Sequence, residues 1–184
     1  AYADGQKATV KTTGSIARNI PQVASASSTL GTEVQFESAE VTQVSSTYDS
    51  TNNRIVVSYS DVGSSNDGTI AVGTVNASDN SISFGTPVHY NSNVAITNND
   101  VIHDSNSNKI VVSYTDADNS HYGTAIVGTI DTSDNSISFG SPTVYESAST
   151  NSSSTNGITF DSNSNKVVII YRDVWNSNYG TAIV

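Results

Sequence analysis

Three segments of this chain superpose residue by residue: RIVVSYSDVGSSNDGTIAVGTV from Arg54, KIVVSYTDADNSHYGTAIVGTI from Lys109 and KVVIIYRDVWNSNYGTAIV from Lys166. Asp61, Asp116 and Asp173 mark the register, 55 and then 57 residues apart, and Gly68, Gly123 and Gly180 keep the same spacing. A repeat of this size is one supersecondary unit that cannot hide its apolar face alone, so successive copies must stack. Any fold assigned to the chain has to bury the same stripe three times over.

The pattern inside each copy is that of strands. Ile55, Val57 and Tyr59 alternate onto one face, as do Ile110, Val112, Tyr114 and Val167, Ile169, Tyr171; period two with β-branched residues marks a strand. Val56, Val111 and Val168 interrupt the polar face, so that face is covered as well, as in stacked sheets. Before this strand comes a short one ending in an aromatic ring and an acid, at Tyr48, His103 and Phe160. After it, a loop rich in Asp and Asn leads to a third strand whose Gly and Ala leave room for close backbone approach. An SDNS turn gives the fourth, SISFGTPVHY from Ser81 and SISFGSPTVY from Ser136. Pro87 and Pro142 cannot donate to a ladder, which places this last strand at an outer edge.

Composition agrees with this reading and narrows the partners. Ser, Thr and Asn supply 73 of the 184 residues, the palette of turns and β-surfaces rather than of helices. With seven Lys and Arg against 17 Asp and Glu, three of the basic residues being Lys7, Lys11 and Arg18, the net charge is −10. Nucleic acids and anionic bilayers need a basic patch and are the wrong partners. Cys is absent, which removes disulfides, thiolate nucleophiles and thiolate metal sites. No apolar run is long enough to cross a bilayer as a helix, and no signal-peptide pattern opens the chain, so any export signal is expected outside it.

Four antiparallel strands in about 55 residues is the size of a propeller blade. The expectation is an all-β chain of tandem four-stranded antiparallel blades, propeller-like, with a β-sandwich of repeats as the alternative and a β-solenoid third. Residues 1–28 fall outside the repeat and are read as a connecting segment. Residues 29–184 hold three repeats, the last incomplete. The segment TLGTEVQFES (Thr29 to Ser38) matches the fourth-strand string. Three blades are fewer than the usual four to eight, so self-association or further repeats of the same chain are expected to complete the stack.

The strings NSHYGTAIVGT, NSNYGTAIV, SISFGTP and SISFGSP, with YADGQKATVKTTGSIARNI at the start, resemble repeats of bacteriophage tail-fibre and virion-appendage proteins from marine sources, and together they cover most of the chain. The resemblance implies an extracellular or virion-surface location and a role in host attachment or virion structure. A looser likeness is to the Asp-box hairpin of sialidase-type propellers. Here the Gly follows the Asp by seven residues and the Trp is absent from its place, so no sialidase chemistry is implied.

The candidate chemistry is sparse. His89, His103 and His121 occupy three different places in the unit, and no hydroxyl or carboxylate companion is dictated by spacing; the chain is read as non-enzymatic. His103 stands where Tyr48 and Phe160 stand, and is read as an aromatic packing residue. DSNSNK at Asp104 and Asp161 imitates the opening of a calcium loop, but Lys109 and Lys166 sit where the sharp-turn Gly belongs and no closing Glu follows. No cofactor is expected, calcium being the one these loops could hold, and the Asp side chains are read as turn caps. Asp61, Asp116, Asp173 and Gly68, Gly123, Gly180 are taken as structural turn residues. For binding, the aromatic loop residues stand out: His121 with Tyr122, and Trp175 with Tyr179. Such rings could stack on a sugar of a host-surface glycan or receptor, against the reading that Tyr122 and Tyr179 pack on the neighbouring unit. Asn76 and Asn151 begin N-x-S sequons, relevant only to a eukaryotic secretory pathway. The functional expectation is a structural or receptor-binding module of a tail fibre or similar surface assembly. A free carbohydrate-binding, lectin-like propeller comes second, and a glycan hydrolase third.

Overall fold

The computed structural model describes residues 30–150 and 156–184, with a boundary between Thr32 and Glu33. The connecting segment expected at 1–28 and the sequon at Asn151 lie outside the described residues. Within the unit Glu33–Val184 the strands are β1 (Val41–Asp49), β2 (Arg54–Asp61), β3 (Asp67–Asn76), β4 (Ser81–Phe84), β5 (Val88–Asp104), β6 (Lys109–Asp116), β7 (Tyr122–Asp131), β8 (Ser136–Phe139), β9 (Thr143–Ser149), β10 (Gly157–Asp161), β11 (Lys166–Asp173) and β12 (Tyr179–Ile183). The only helical element among the described residues is a 3-10 turn, Val62–Ser64, and none is long and apolar enough to cross a membrane. The fold is all-β, its sheets are antiparallel, and none closes into a barrel.

Each repeat forms the same ladder. β1 pairs β2, β2 pairs β3, and β3 pairs both β4 and the start of β5; one period later the end of β5 pairs β6, β6 pairs β7, and β7 pairs β8 and β9. The third copy contributes β10, β11 and β12. Two features differ from the sequence reading. The fourth strand is not one run but two, broken over 85–87 and 140–142, where Pro87 and Pro142 remove ladder donors. The first strand of the second copy is not short: β5 runs 17 residues without interruption, its beginning on the first sheet's edge and its end opening the next sheet, whereas β10 of the third copy spans five.

The two faces of the first sheet fill different cores. Val56, Ile70 and Val72 join Tyr90, Ile96, Val101, Ile110, Val112, Tyr114, Ile126 and Ile137 in one cluster, so the face carrying the "interrupting" valine packs on the alternating face of the next copy. Val57, Tyr59 and Ala71 on the opposite face pack with Phe36, Val41, Ile55 and Phe84. At the centre of each joint lies an aromatic pair from the fourth-strand string and the second strand. Phe36 meets Tyr59 at 5.2 Å, Tyr90 meets Tyr114 at 5.3 Å and Tyr145 meets Tyr171 at 5.3 Å, all tilted, a geometry that ring quadrupoles favour. Gly68 and Gly123 make room for this. They lie in strands rather than turns, and a Cβ on Gly123 would stand 2.5 Å from the Tyr145 ring.

Burial pushes the phenols of Tyr59, Tyr90, Tyr114 and Tyr145 above their ordinary range, and Tyr171 up to about 12. Two of these hydroxyls have charged acceptors: Tyr59 Oη donates to Glu37 Oε2 at 3.1 Å and Tyr171 Oη to Glu146 Oε2 at 3.0 Å. The same carboxylates accept the backbone N–H two residues on, from Ala39 and Ala148. In the middle copy that position is Asn91, and there the Tyr114 hydroxyl and the Asn91 Nδ2 are both buried without a partner. Asn91→Glu is therefore expected to stabilise the fold by about 1 kcal/mol, a charge-assisted bond discounted for the buried charge. The check is a thermal melt, in which the variant should gain roughly 2–4 °C; an unchanged or lower melting temperature counts against the transfer.

The abundance of Asn has a local cause. Asn53, Asn108 and Asn165 hold φ of 56°, 54° and 56°, and Asn80 and Asn135 hold 58° and 60°, the left-handed region that Asn tolerates better than other side chains.

Candidate functional site

Asp61, Asp116 and Asp173 end the second strand of each copy and cap the loop that follows. Asp61 accepts from the Gly63 N–H, Asp116 from Asp118 and Asn119, and Asp173 from Trp175 and Asn176. The loop then turns through two successive left-handed residues, Ser65–Asn66, Ser120–His121 and Ser177–Asn178. In the last two copies it closes with Tyr122 N–H donating to the Asn119 carbonyl and Tyr179 N–H to that of Asn176, both at 3.0 Å. These are primed hairpin turns in which Ser and Asn or His replace the usual glycine.

This turn carries the four candidate binding residues on two separate hairpins. His121 and Tyr122 are half-buried on β6–β7, where the His121 carbonyl accepts from Thr150 N–H at 2.9 Å and the ring Nδ1 is buried without a partner. Trp175 is 82% and Tyr179 62% exposed on β11–β12, and neither takes part in a ring contact found among the described residues. Gly180, next to Tyr179, has nothing within 4 Å of a would-be Cβ, unlike Gly68 and Gly123. The structure thus places an exposed aromatic pair at one hairpin and does not bring it together with the other.

Asp104 and Asp161 work as turn caps. Asp104 accepts from the N–H of Asn106 and Ser107 and from Ser107 Oγ, and Asp161 likewise from Asn163 and Ser164. Hydrogen bonds, the Ser164 hydroxyl first, hold the Asp161 carboxyl below its ordinary range. In Asp104 slight burial opposes the shift, but the Ser107 and Asn106 bonds outweigh it. Among the described residues no three His, Cys, Asp or Glu gather around a common metal position.

Two constellations were not legible in the sequence. The first is a clasp between the first and second copies. His103 is buried, and its Nε2 stands 3.1 Å from Asp49 Oδ1 and 3.4 Å from Asn108 Oδ1. Both neighbours are acceptors, which assigns the proton to Nε2. Asp49 also takes the N–H of Thr51 and Asn52 and the Asn52 amide, whose Nδ2 reaches Asn108 as well. The ring is therefore a buried donor between the two copies, a duty that its reading as an aromatic packing residue did not include. The second constellation joins the first strands of all three copies: Asp100 accepts Ser45 Oγ at 2.5 Å and Ile158 N–H at 3.1 Å, while Gln43 accepts Asn98 N–H at 2.6 Å. Gln43 and Asn98, 55 residues apart, are both left-handed and sit at matching bulges. A carboxylate in the interior of a strand whose other acid, Asp104, stands at its end was the available signal for Asp100.

Neither histidine–carboxylate contact forms a nucleophile relay. That needs carboxylate and hydroxyl on opposite ring nitrogens, whereas Thr69 Oγ1 and Asp67 Oδ2 both approach Nδ1 of His89, at 2.9 and 3.7 Å. A cleft of about 250 Å³ is lined by Gln35, Phe36, Glu37, Ser38 and Pro87. Compared with known proteins, the chain matches no family model, no curated protein and no solved structure.

Proposed function

We propose that the chain is a non-catalytic, propeller-type β-repeat module of an extracellular surface assembly such as a tail fibre, which attaches to glycans through its exposed loop aromatics. The observation that carries the modular half is the recurrence of one joint: the same aromatic pair at the same separation in all three copies. A four-stranded unit whose outer strand leads without a break into the inner strand of the next copy is the connectivity blades use. The binding half rests on Trp175 and Tyr179, two large exposed rings on one polar hairpin, the surface type that stacks on sugars. The carboxylate of the same hairpin, Asp173, is occupied as a turn cap, which favours binding over hydrolysis.

A glycan array run beside a sugar-release assay tests this reading. The expected result is retention of one glycan class without release, and a loss of about tenfold or more in affinity for Trp175→Ala, the size of one stacking contact, with no change in melting temperature. Sugar release above background replaces the reading with a hydrolase. Binding indifferent to Trp175→Ala removes this hairpin from it.

A further inference from the structure

In each of the three aromatic joints one residue directly follows the ring of the fourth-strand string: Glu37, Asn91 or Glu146. In the first and third joints its carboxylate receives the hydroxyl of the tyrosine that the ring packs on, Tyr59 at 3.1 Å and Tyr171 at 3.0 Å. It also receives a backbone N–H, from Ala39 at 3.0 Å and from Ala148 at 2.7 Å. The middle joint divides these duties. Asp67 Oδ1 takes a backbone N–H of the corresponding stretch, that of Val94 at 3.2 Å. The phenol is left to Asn91, whose amide turns a second donor inward where the glutamates offer an acceptor. Tyr114 is fully buried, and its hydroxyl and the Asn91 Nδ2 are both buried without a partner. Two donors, one from each side of the joint, thus stand where the flanking joints hold a carboxylate oxygen.

We infer that the middle joint binds a small monovalent anion, a halide such as chloride, between the Tyr114 hydroxyl and the Asn91 amide. Buried donors left unpaired are costly, and a charged acceptor makes the stronger bond. A halide accepts from both groups and has no hydrogens of its own to place, whereas a water brings two further donors into the apolar cluster around Tyr114. Asn ends one methylene short of Glu, so what replaces the carboxylate oxygen is of single-atom size and not a phosphate or sulfate. Negative charge is tolerated at this point. Asp116 follows Tyr114 by two residues as Asp61 follows Tyr59 and Asp173 follows Tyr171, and there a carboxylate is held all the same. Two neutral donors make a weak site, of millimolar order. The anion ties the start of β5, on the first sheet, to β6 of the next, as Glu37 and Glu146 tie their own joints.

Thermal melts of the 184-residue chain in sodium chloride and in sodium gluconate at equal ionic strength test this, gluconate being too large to enter the joint. The unmodified chain is expected to melt about 2–4 °C higher in chloride, with a gain that grows as the logarithm of chloride concentration. Asn91→Glu brings its own carboxylate and should melt alike in the two salts, so that its advantage over the unmodified chain is confined to gluconate. Tyr114→Phe removes one donor and should lose most of the chloride gain while melting as the unmodified chain does in gluconate. A crystal grown in sodium bromide is expected to show an anomalous peak within hydrogen-bonding reach of Tyr114 Oη and Asn91 Nδ2. Equal melting of the unmodified chain in the two salts, a chloride gain that Asn91→Glu keeps, or a water alone at that place in the bromide crystal overturns the site.

Discussion

Tyr114→Ala is expected to destabilise the chain by about 3–5 kcal/mol, the cost of deleting a large ring from a packed interior. Tyr114 is fully buried in the larger core and meets Tyr90 at 5.3 Å. Its ring lies where the first sheet faces the second, so the cavity left behind is bordered by two sheets whose separation is fixed by their other contacts. It has little scope to collapse. The hydroxyl contributes nothing to this number, being buried without a partner, and Tyr114→Phe is expected to be neutral or slightly stabilising. Tyr171→Phe should by contrast cost about 1 kcal/mol or more, since that hydroxyl donates to Glu146. Chemical denaturation of the three variants checks the ordering. A loss below about 1 kcal/mol for Tyr114→Ala would mean that the two sheets do not share this core.

The position of that ring was readable from the sequence because strand periodicity leaves no freedom: once Ile110 and Val112 face one way, Tyr114 must follow. The same logic identified the strands of each copy, and the missing proline donors the outer place of the last of them. It could not show that β5 is continuous, because NSNVAITNND joins two copies with residues as polar as those of the hairpin turns. Nor could it show which copy covers which face, a matter of how the sheets follow one another and not of any one strand's pattern. The binding candidates divide for a related reason. A ring in a polar loop reads the same whether it projects, as Trp175 does, or half-buries, as Tyr122 does. His103 shares its place in the repeat with Tyr48 and Phe160, but hydrogen bonding to a carboxylate 54 residues away leaves no mark in a single repeat.

That carboxylate carries the other large expected effect. Asp49, Asp104 and Asp161 hold the same place in three copies of one turn, and each accepts backbone N–H groups two and three residues on. Asp104→Ala and Asp161→Ala remove exposed caps whose donors water can satisfy, a loss of about 1 kcal/mol each. Asp49 is 1% exposed and also receives the Asn52 amide and the His103 ring. Asp49→Ala therefore strands the buried His103 ring and the half-buried Asn52 donors at once, and about 3–5 kcal/mol is expected. His103→Phe installs the ring type found at Phe160 and removes one of those donors, so the double variant should lose at least about 1 kcal/mol less than the two single losses combined. Denaturation of the four single variants and the double variant decides the matter. Equal losses at Asp49 and Asp104 would mean that the first turn is held as its copies are, by backbone capping alone, and that the clasp on the second copy adds nothing.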